Sequence, residues 1–167
     1  MIAARRRALL ALIAIGMTAL AACGSDTKVA ETKDGKVTVE GKGKNAEVTV
    51  EGEHGATVTF NEQKVPAGFP SEVPLPQKVR LQSATSGTRS GKQYFQLSYA
   101  LGSTSALDAI GAYATRLGAA GFTVDQTDTP GTDANPPPMR ADGSGWHVLA
   151  FATSAGSGSL TMSVTNT

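Results

Sequence analysis

The sequence predicts an α+β protein, in which an N-terminal β-repeat meander precedes an antiparallel sheet with one helix packed on one face, in the order ββαβββ. Three observations support this fold class: a Thr/Val-rich repeat, a proline-rich segment after it, and one amphipathic helical stretch between alternating apolar segments. The length of 167 residues allows one compact domain with extensions and excludes a large multidomain enzyme.

The first 22 residues have the pattern of a signal peptide. Arg5, Arg6 and Arg7 form a basic head, and residues 8–20 are uncharged and apolar. Crossing a membrane takes about 20 apolar helical residues, so this stretch of about 13 is too short for an ordinary span. We therefore expect residues 1–22 to direct secretion, by the general or the twin-arginine route.

The end of this leader, Leu20, Ala21, Ala22 and Cys23, resembles the lipobox of bacterial lipoproteins. The resemblance implies cleavage between Ala22 and Cys23 and attachment of diacylglycerol to the Cys23 thiol. Two acyl chains anchor a protein stably, whereas one binds only marginally. The alternative is that Cys23 is simply a small apolar residue of the leader. We expect a lipid-anchored protein that contacts membrane lipid through acylated Cys23 and faces the extracytoplasmic side of the cell membrane.

The composition of the processed chain excludes several functions. Subtracting the 22 leader residues from 167 leaves 145, and subtracting the three leader arginines from 15 basic residues leaves 12 against 14 acidic ones. This mildly acidic balance argues against nucleic acid as a partner. Cys23 is the one cysteine of the sequence, which excludes a disulfide framework and a cysteine-cluster metal site. No cofactor is expected.

Residues 23–34 are predicted to be a flexible tether, because they are small, polar and charged. Residues 35–64 form the predicted β-repeat region, in which the pattern of residues 36–41 returns at 47–52 and, more weakly, at 57–60. Each copy alternates β-branched with polar residues, as a strand with one buried face does. The apolar residues expected to share that face are Val37, Val39, Val48, Val50, Val58 and Phe60.

Residues 65–167 form the predicted small α+β domain. It opens on a segment with four prolines, for which we expect an extended backbone with Phe69, Val73 and Leu75 as apolar anchors. A polyproline ligand for another module is the alternative. The rest of the domain is predicted as strands at 78–83, 94–101, 122–128, 146–153 and 159–165, with a polar loop at 129–145.

One helix is predicted over residues 103–120. Ser105 and Asp108 have the spacing of a weak capping box, and Gly121 suits a left-handed cap at the C-terminal end. Apolar residues at spacings of three and four predict a buried stripe. Its expected members are Leu107, Ile110, Tyr113 or Ala114, and Leu117.

No residue pattern predicts a catalytic, cofactor-binding or metal site. The chain has two histidines, and no serine lies in the strand–turn–helix context of a Gly-x-Ser-x-Gly nucleophile. We interpret His147 as a partly exposed histidine at the sheet edge. Asp125 with Asp128, and Asp133 with Asp142, are available carboxylate pairs, but loops collect Asp for conformational reasons.

A second resemblance comes from residues 69–76, which read Phe-Pro-Ser-Glu-Val-Pro-Leu-Pro, together with residues 112–113 and 119–124. They resemble a group of small uncharacterised bacterial lipoproteins that share a Phe-Pro-x-Asp-Val-Pro-Leu-Pro segment ahead of a helix and an antiparallel sheet. Glu72 stands where that group has Asp. The resemblance covers residues 34–167 and implies the fold and the anchor, without an activity.

Together these features predict a cell-envelope protein that is a non-enzymatic binding or structural module, with an envelope protein or a small-molecule ligand as its partner. The expected contact surfaces are the loop at 129–145 and the exposed sheet face. The alternatives are an extracytoplasmic hydrolase with a site in the 129–145 loop, a lipid or small-molecule carrier, and an envelope spacer.

Overall fold

The structure, a computed structural model, describes residues 27–32, 35–41, 46–52, 57–61, 63–89, 91–126, 131–134 and 136–167. Within these ranges the chain forms ten strands and one helix. They are β1 (Thr27–Thr32), β2 (Gly35–Glu40), β3 (Glu47–Gly52), β4 (Thr57–Asn61), β5 (Arg80–Arg89), β6 (Lys92–Ala100), α1 (Ala106–Ala119), β7 (Thr123–Gln126), β8 (Met139–Gly143), β9 (Trp146–Thr153) and β10 (Ser159–Asn166).

All strands of the described chain join one antiparallel sheet in the order β1-β2-β3-β4-β5-β6-β10-β9-β8-β7. The first six form a meander in sequence order. Helix α1 then crosses to the far edge, where β7 begins, and the last four strands return toward β6. The C-terminal strand β10 therefore lies between β6 and β9. The predicted class, an antiparallel α+β fold with one helix, is confirmed for the described residues.

The predicted order ββαβββ is wrong, because the chain after residue 65 runs ββαββββ. The additional strand is β8, which lies inside the segment predicted as the loop 129–145. Its residues alternate as a strand requires, with Met139 and Ala141 buried and Arg140 and Asp142 exposed. The strand has only five residues and two of them are charged, so its hydrophobic pattern is weak.

A tight turn joins β8 to β9. Gly143 pairs with Trp146, which leaves two residues in the connection. Both of them, Ser144 and Gly145, have positive φ angles of 50° and 79°. This is the geometry of a two-residue hairpin, whose twist matches that of the flanking strands. The next hairpin, β9 to β10 around residues 154–158, has the predicted position.

Strand β1 lies within residues 23–34, the segment predicted as a flexible tether. Its six residues pair with β2 from Thr27 opposite Glu40 to Thr32 opposite Gly35. Composition does not predict this strand, because its stabilisation comes from backbone hydrogen bonds to the edge of β2. Strands β2, β3 and β4 coincide with the three copies of the repeat.

The register places the predicted valine face on the side of the sheet away from α1. Phe60 on β4 pairs with Thr85 on β5, and Thr85 pairs with Gln96 on β6, so these three side chains lie on one face of the sheet. The side chains of β6 that face the helix belong to the alternate residues Phe95, Leu97 and Tyr99. Phe60 is 48% exposed and the valines of the repeat are half-buried. The valine face is therefore separate from the main core.

The main core lies between α1 and the sheet, and its fully buried residues come from β6, α1, β8, β9 and β10. The buried stripe of α1 has the predicted spacing except at Leu107, which is 40% exposed because the stripe passes through Ala106 instead. The Ser105 hydroxyl accepts a hydrogen bond from the Asp108 N–H at 3.0 Å. At the other end Gly121 has a φ of 87°, as the predicted left-handed cap requires.

Candidate functional site

The predicted anchor residues Leu20, Ala21, Ala22 and Cys23 lie outside the residues that the structure describes. Cleavage before Cys23 and lipid attachment to its thiol remain predictions. Within the described ranges, no helix combines the length and the apolar character that crossing a membrane requires.

The proline-rich segment, residues 65–77, folds as two successive turns against the core. The Phe69 N–H donates to the Pro66 carbonyl, and the Val73 N–H donates to the Pro70 carbonyl, both at 3.2 Å. The prediction of an extended backbone is therefore wrong. Each of these prolines occupies the first position of a turn, where only its carbonyl is needed and its missing N–H costs nothing.

The three predicted apolar anchors fix this segment to the sheet. Val73 is 2% exposed, and Phe69 and Leu75 pack against the buried core. The Phe69 ring meets the Phe95 ring edge-on, with 5.4 Å between centroids. The polyproline-ligand alternative is therefore not supported for this segment, because its apolar side chains are used within the molecule.

An open groove of about 450 Å³ runs along this segment, and we call it the proline groove. Its walls include Pro66, Phe69, Pro70 and Leu75 from the two turns, and Arg116 from α1. Arg116 is the one charged residue among the described residues that line it. The groove is open to solvent, and more of its accessible surface is polar than apolar.

Arg116 lies in the last turn of α1. Its Nε atom is buried and has no hydrogen-bond partner. No carboxylate of the described residues forms an ion pair with Arg116. The helix dipole favours a cation at this end, but it does not replace the missing acceptor.

Two tyrosines of the core have buried hydroxyls, and one of them, Tyr113, lies near Arg116. Tyr99 is 4% and Tyr113 is 1% exposed, and both hydroxyls are buried without a hydrogen-bond partner. Burial raises the pKa of Tyr113, nearby Tyr99 raises it further, and the Arg116 guanidinium lowers it. Tyr113 therefore lies near both Tyr99 and Arg116. Each of the three groups can donate a hydrogen bond and lacks an acceptor.

The structure brings together one other pair of titratable residues, His147 and Asp142. They lie opposite each other on β9 and β8, and the His147 Nδ1 atom hydrogen-bonds to Asp142 Oδ1. The interpretation of His147 as a sheet-edge residue is wrong, since β9 lies between β8 and β10. The side chains are 58% and 62% exposed, so water reaches both. On its other side, His147 lies opposite Thr165 of β10.

The other candidate carboxylates differ in what they contact. The Asp133 carboxylate accepts the Leu107 N–H at 3.1 Å and so helps to cap α1. Asp125 on β7 lies opposite Arg140 on β8 in the strand register. Asp128 lies outside the described residues. Across the described chain, no three His, Cys, Asp or Glu side chains are grouped as a metal site would require.

Sequence reasoning missed Arg116 as a candidate binding residue. Tyr113 was identifiable as a core residue from the helical spacing, and an Arg three residues later lies on the same side of the helix. That spacing is the one sequence signal for Arg116, because the proline-rich wall of the groove lies beside Arg116 only in the folded chain. Comparison with known proteins adds nothing to this, since no family model, curated protein or solved structure matches the chain.

Proposed function

We propose that the protein is a lipid-anchored cell-envelope protein and a non-enzymatic binding module, with the proline groove as its ligand site. The observation that carries this proposal is Arg116, the one charged residue among those described that line the groove, whose buried Nε lacks an acceptor. Burying an N–H group without an acceptor costs free energy. A ligand that supplies the missing acceptor lowers this cost in the folded state alone. Such a ligand therefore binds the folded protein selectively.

The hydrolase alternative has less support. Its predicted region, residues 129–145, contains Asp133 as a helix cap and β8 as a sheet strand. The His147–Asp142 pair is open to water, whereas acid–base catalysis benefits from an enclosed site that tunes both groups.

The groove is tested in cells by placing a photocrosslinking amino acid at Gln77, an exposed residue that lines the groove. We expect crosslinks from this position to a ligand or partner. The matched control is Gln93, which is exposed on β6 and does not line the groove, and it should give no specific crosslink. Equal crosslinking at both positions would contradict the proposed site.

The anchor is tested by metabolic labelling with palmitate. We expect the wild-type chain to take up label and to be processed, and Cys23→Ala to lose both, because the thiol that receives the lipid is gone. Ser25→Ala keeps Cys23 and should keep the label. Equal labelling of Cys23→Ala and the wild-type chain would overturn lipid anchoring.

A further inference from the structure

We infer that the valine face of the repeat strands β2, β3 and β4 lies against the lipid bilayer that holds the Cys23 anchor. This inference rests on the lipid anchoring in the proposed function and adds the orientation of the protein on its membrane. The residues of this face are Val37, Val39, Val48, Val50, Val58 and Phe60. Its lack of charge, its exposure and its position next to the anchor support the inference.

Charge is confined to one side of the repeat strands. The strand register aligns the valines in rows, with Val37 opposite Val50 and Val50 opposite Val58. Because successive side chains of a strand alternate between faces, the intervening residues lie on the other side of the sheet. They include every charged residue of β2 and β3, namely Lys36, Glu40, Glu47 and Glu51. The valine face is therefore apolar and uncharged across three strands.

Among the described residues, no helix or strand covers the valine face. Helix α1 packs on the opposite side of the sheet, against β7 to β10. Phe60 is half exposed as a result. An antiparallel sheet can leave one face in water, but that face is ordinarily polar. A contiguous apolar patch on a protein surface marks contact with another protein or with a membrane.

The anchor places this patch at the membrane. Strand β1 begins at Thr27, so three residues separate it from Cys23. The chain from Cys23 to Thr27 spans at most about 14 Å when it is fully extended. Strand β1 pairs along its length with β2, which carries the first two valines of the face. Lipid chains on Cys23 therefore hold the valine face within reach of the bilayer, where burial of its apolar side chains is favourable.

The rest of the sheet is compatible with this orientation. Along the row that contains Phe60, the first charged residue on the same face is Arg140, on β8 at the far side of the sheet. Because neighbouring strands rotate by about 20–25°, β8 is turned well away from the plane of the repeat strands. Helix α1 and the proline groove lie on the other side of the sheet, so the groove faces away from the bilayer.

A second copy of the chain is a less suitable occupant of the valine face. Three strands of at most six residues, spaced about 4.8 Å apart, present a flat area below about 300 Å². A stable protein interface buries about 800 Å² on each partner. A bilayer contact does not have to hold the protein by itself, because the acyl chains already keep the face at the surface. The contact is made on the membrane alone, so protein in aqueous solution keeps the valine face open to water.

The test measures lipid contact of the full chain, acylated at Cys23, in phosphatidylcholine vesicles. Because the lipid occupies the one native thiol, an introduced cysteine is the single site for an environment-sensitive fluorophore. We expect the fluorophore at Phe60→Cys to shift its emission to shorter wavelength and to be quenched by nitroxide-bearing lipids. Glu51→Cys is the matched control, since Glu51 is exposed on the charged face of β3, and it should show neither effect.

A charge on the valine face should separate it from the bilayer. With the fluorophore at Val50→Cys, Phe60→Asp should lose most of the nitroxide quenching, because a carboxylate opposes entry into an apolar layer. Thr38→Asp adds the same charge to the opposite face of the sheet and should keep the quenching. Thermal unfolding of both variants verifies that each is folded.

Three results would overturn the inference while palmitate labelling of the wild-type chain, and with it the anchor, stands. Absence of lipid quenching at residue 60 would show that the valine face does not meet the bilayer. Equal quenching at residues 60 and 51 would show that the sheet has no fixed orientation. Disulfide-linked pairs of Phe60→Cys chains in place of quenching would assign the face to a second copy. Loss of the palmitate label from the wild-type chain would overturn the anchor and the inference together.

Discussion

Gly87 is a residue at which the sheet leaves no room for a side chain. It pairs directly with Tyr94, and a Cβ atom at Gly87 would lie 2.6 Å from the Tyr94 hydroxyl oxygen. The same atom would also meet the backbone carbonyl of Thr57 on β4. The Tyr94 ring therefore covers the space that the glycine leaves open, at the junction between the repeat strands and the rest of the sheet.

Gly87→Ala should lower the free energy of unfolding by about 1–3 kcal/mol, because a backbone carbonyl cannot move aside as a side chain can. Gly111→Ala is the control: this glycine lies within α1 with open space around it, so alanine should raise stability by about 0.5–1 kcal/mol. Chemical denaturation of the full chain measures both. Equal stability of the two variants would contradict the close packing at Gly87.

At the scale of elements, α1 depends on side chains from two different segments for its N-terminal end. The Ser105 hydroxyl accepts the Asp108 N–H from within the helix start, and the Asp133 carboxylate accepts the Leu107 N–H across 26 positions of sequence. A carboxylate at this end also interacts favourably with the helix dipole. Asp133 thus attaches to α1 a part of residues 129–145, the segment predicted as a loop and contact surface.

Asp133→Ala should cost about 1 kcal/mol of stability, since it removes one cap acceptor and one favourable charge. Asp133→Asn keeps an acceptor oxygen and should cost less. Asp125→Ala, at an exposed position of β7, serves as the control for removal of a carboxylate. Urea unfolding measures the three variants. If Asp133→Ala behaves like Asp125→Ala, the contact with Leu107 does not stabilise the helix.

At the scale of the whole molecule, burial is uneven along a continuous sheet. The buried core draws on residues from Val65 onward and on none from β1 to β4 among those described. The repeat strands are held by their backbone ladders and by half-buried valines on the face away from α1. The sheet therefore combines a strongly packed half with a weakly packed half.

Hydrogen exchange should reveal this difference. Strand β3 lies between β2 and β4, and β10 lies between β6 and β9, so both are interior strands with paired backbones. We expect amides of β3 to exchange at least about tenfold faster than those of β10, because opening the repeat strands exposes little buried apolar surface. Equal protection of β3 and β10 would show that the valine face is covered in the native protein.

The two buried tyrosines make stability depend on alkaline pH. Burial raises the pKa of both Tyr99 and Tyr113 above the ordinary value of 10.0. Above about pH 10 the unfolded chain loses these protons while the folded chain keeps them, so stability falls as pH rises, by about 1.4 kcal/mol per pH unit for each tyrosine. Tyr113→Phe should reduce this slope in urea unfolding between about pH 9 and about pH 11. An unchanged slope would contradict the burial of a protonated Tyr113.

Local patterns were enough to predict several elements. The caps and most of the stripe of α1 follow from residue spacing, and the hairpin of β9 and β10 follows from alternation around a Gly/Ser-rich turn. Strand β8 was missed because five residues with two charges carry little alternation. The turn at Ser144 and Gly145 was a usable signal for it, since two such residues before a strand are typical of a hairpin.

By itself the sequence determined the α+β class, the helix with its capping residues, the repeat strands and the apolar anchors Phe69, Val73 and Leu75, because these depend on periodicity and on the conformations of single residues. It placed the start of the helix at residue 103, whereas the helix begins at Ala106. Only the tertiary structure decided which side of the sheet the valines occupy, and that Arg116 meets the proline-rich turns. Both follow from strand register and from contacts between segments distant in the chain. Such contacts depend on how all ten described strands pair, and no local pattern specifies that.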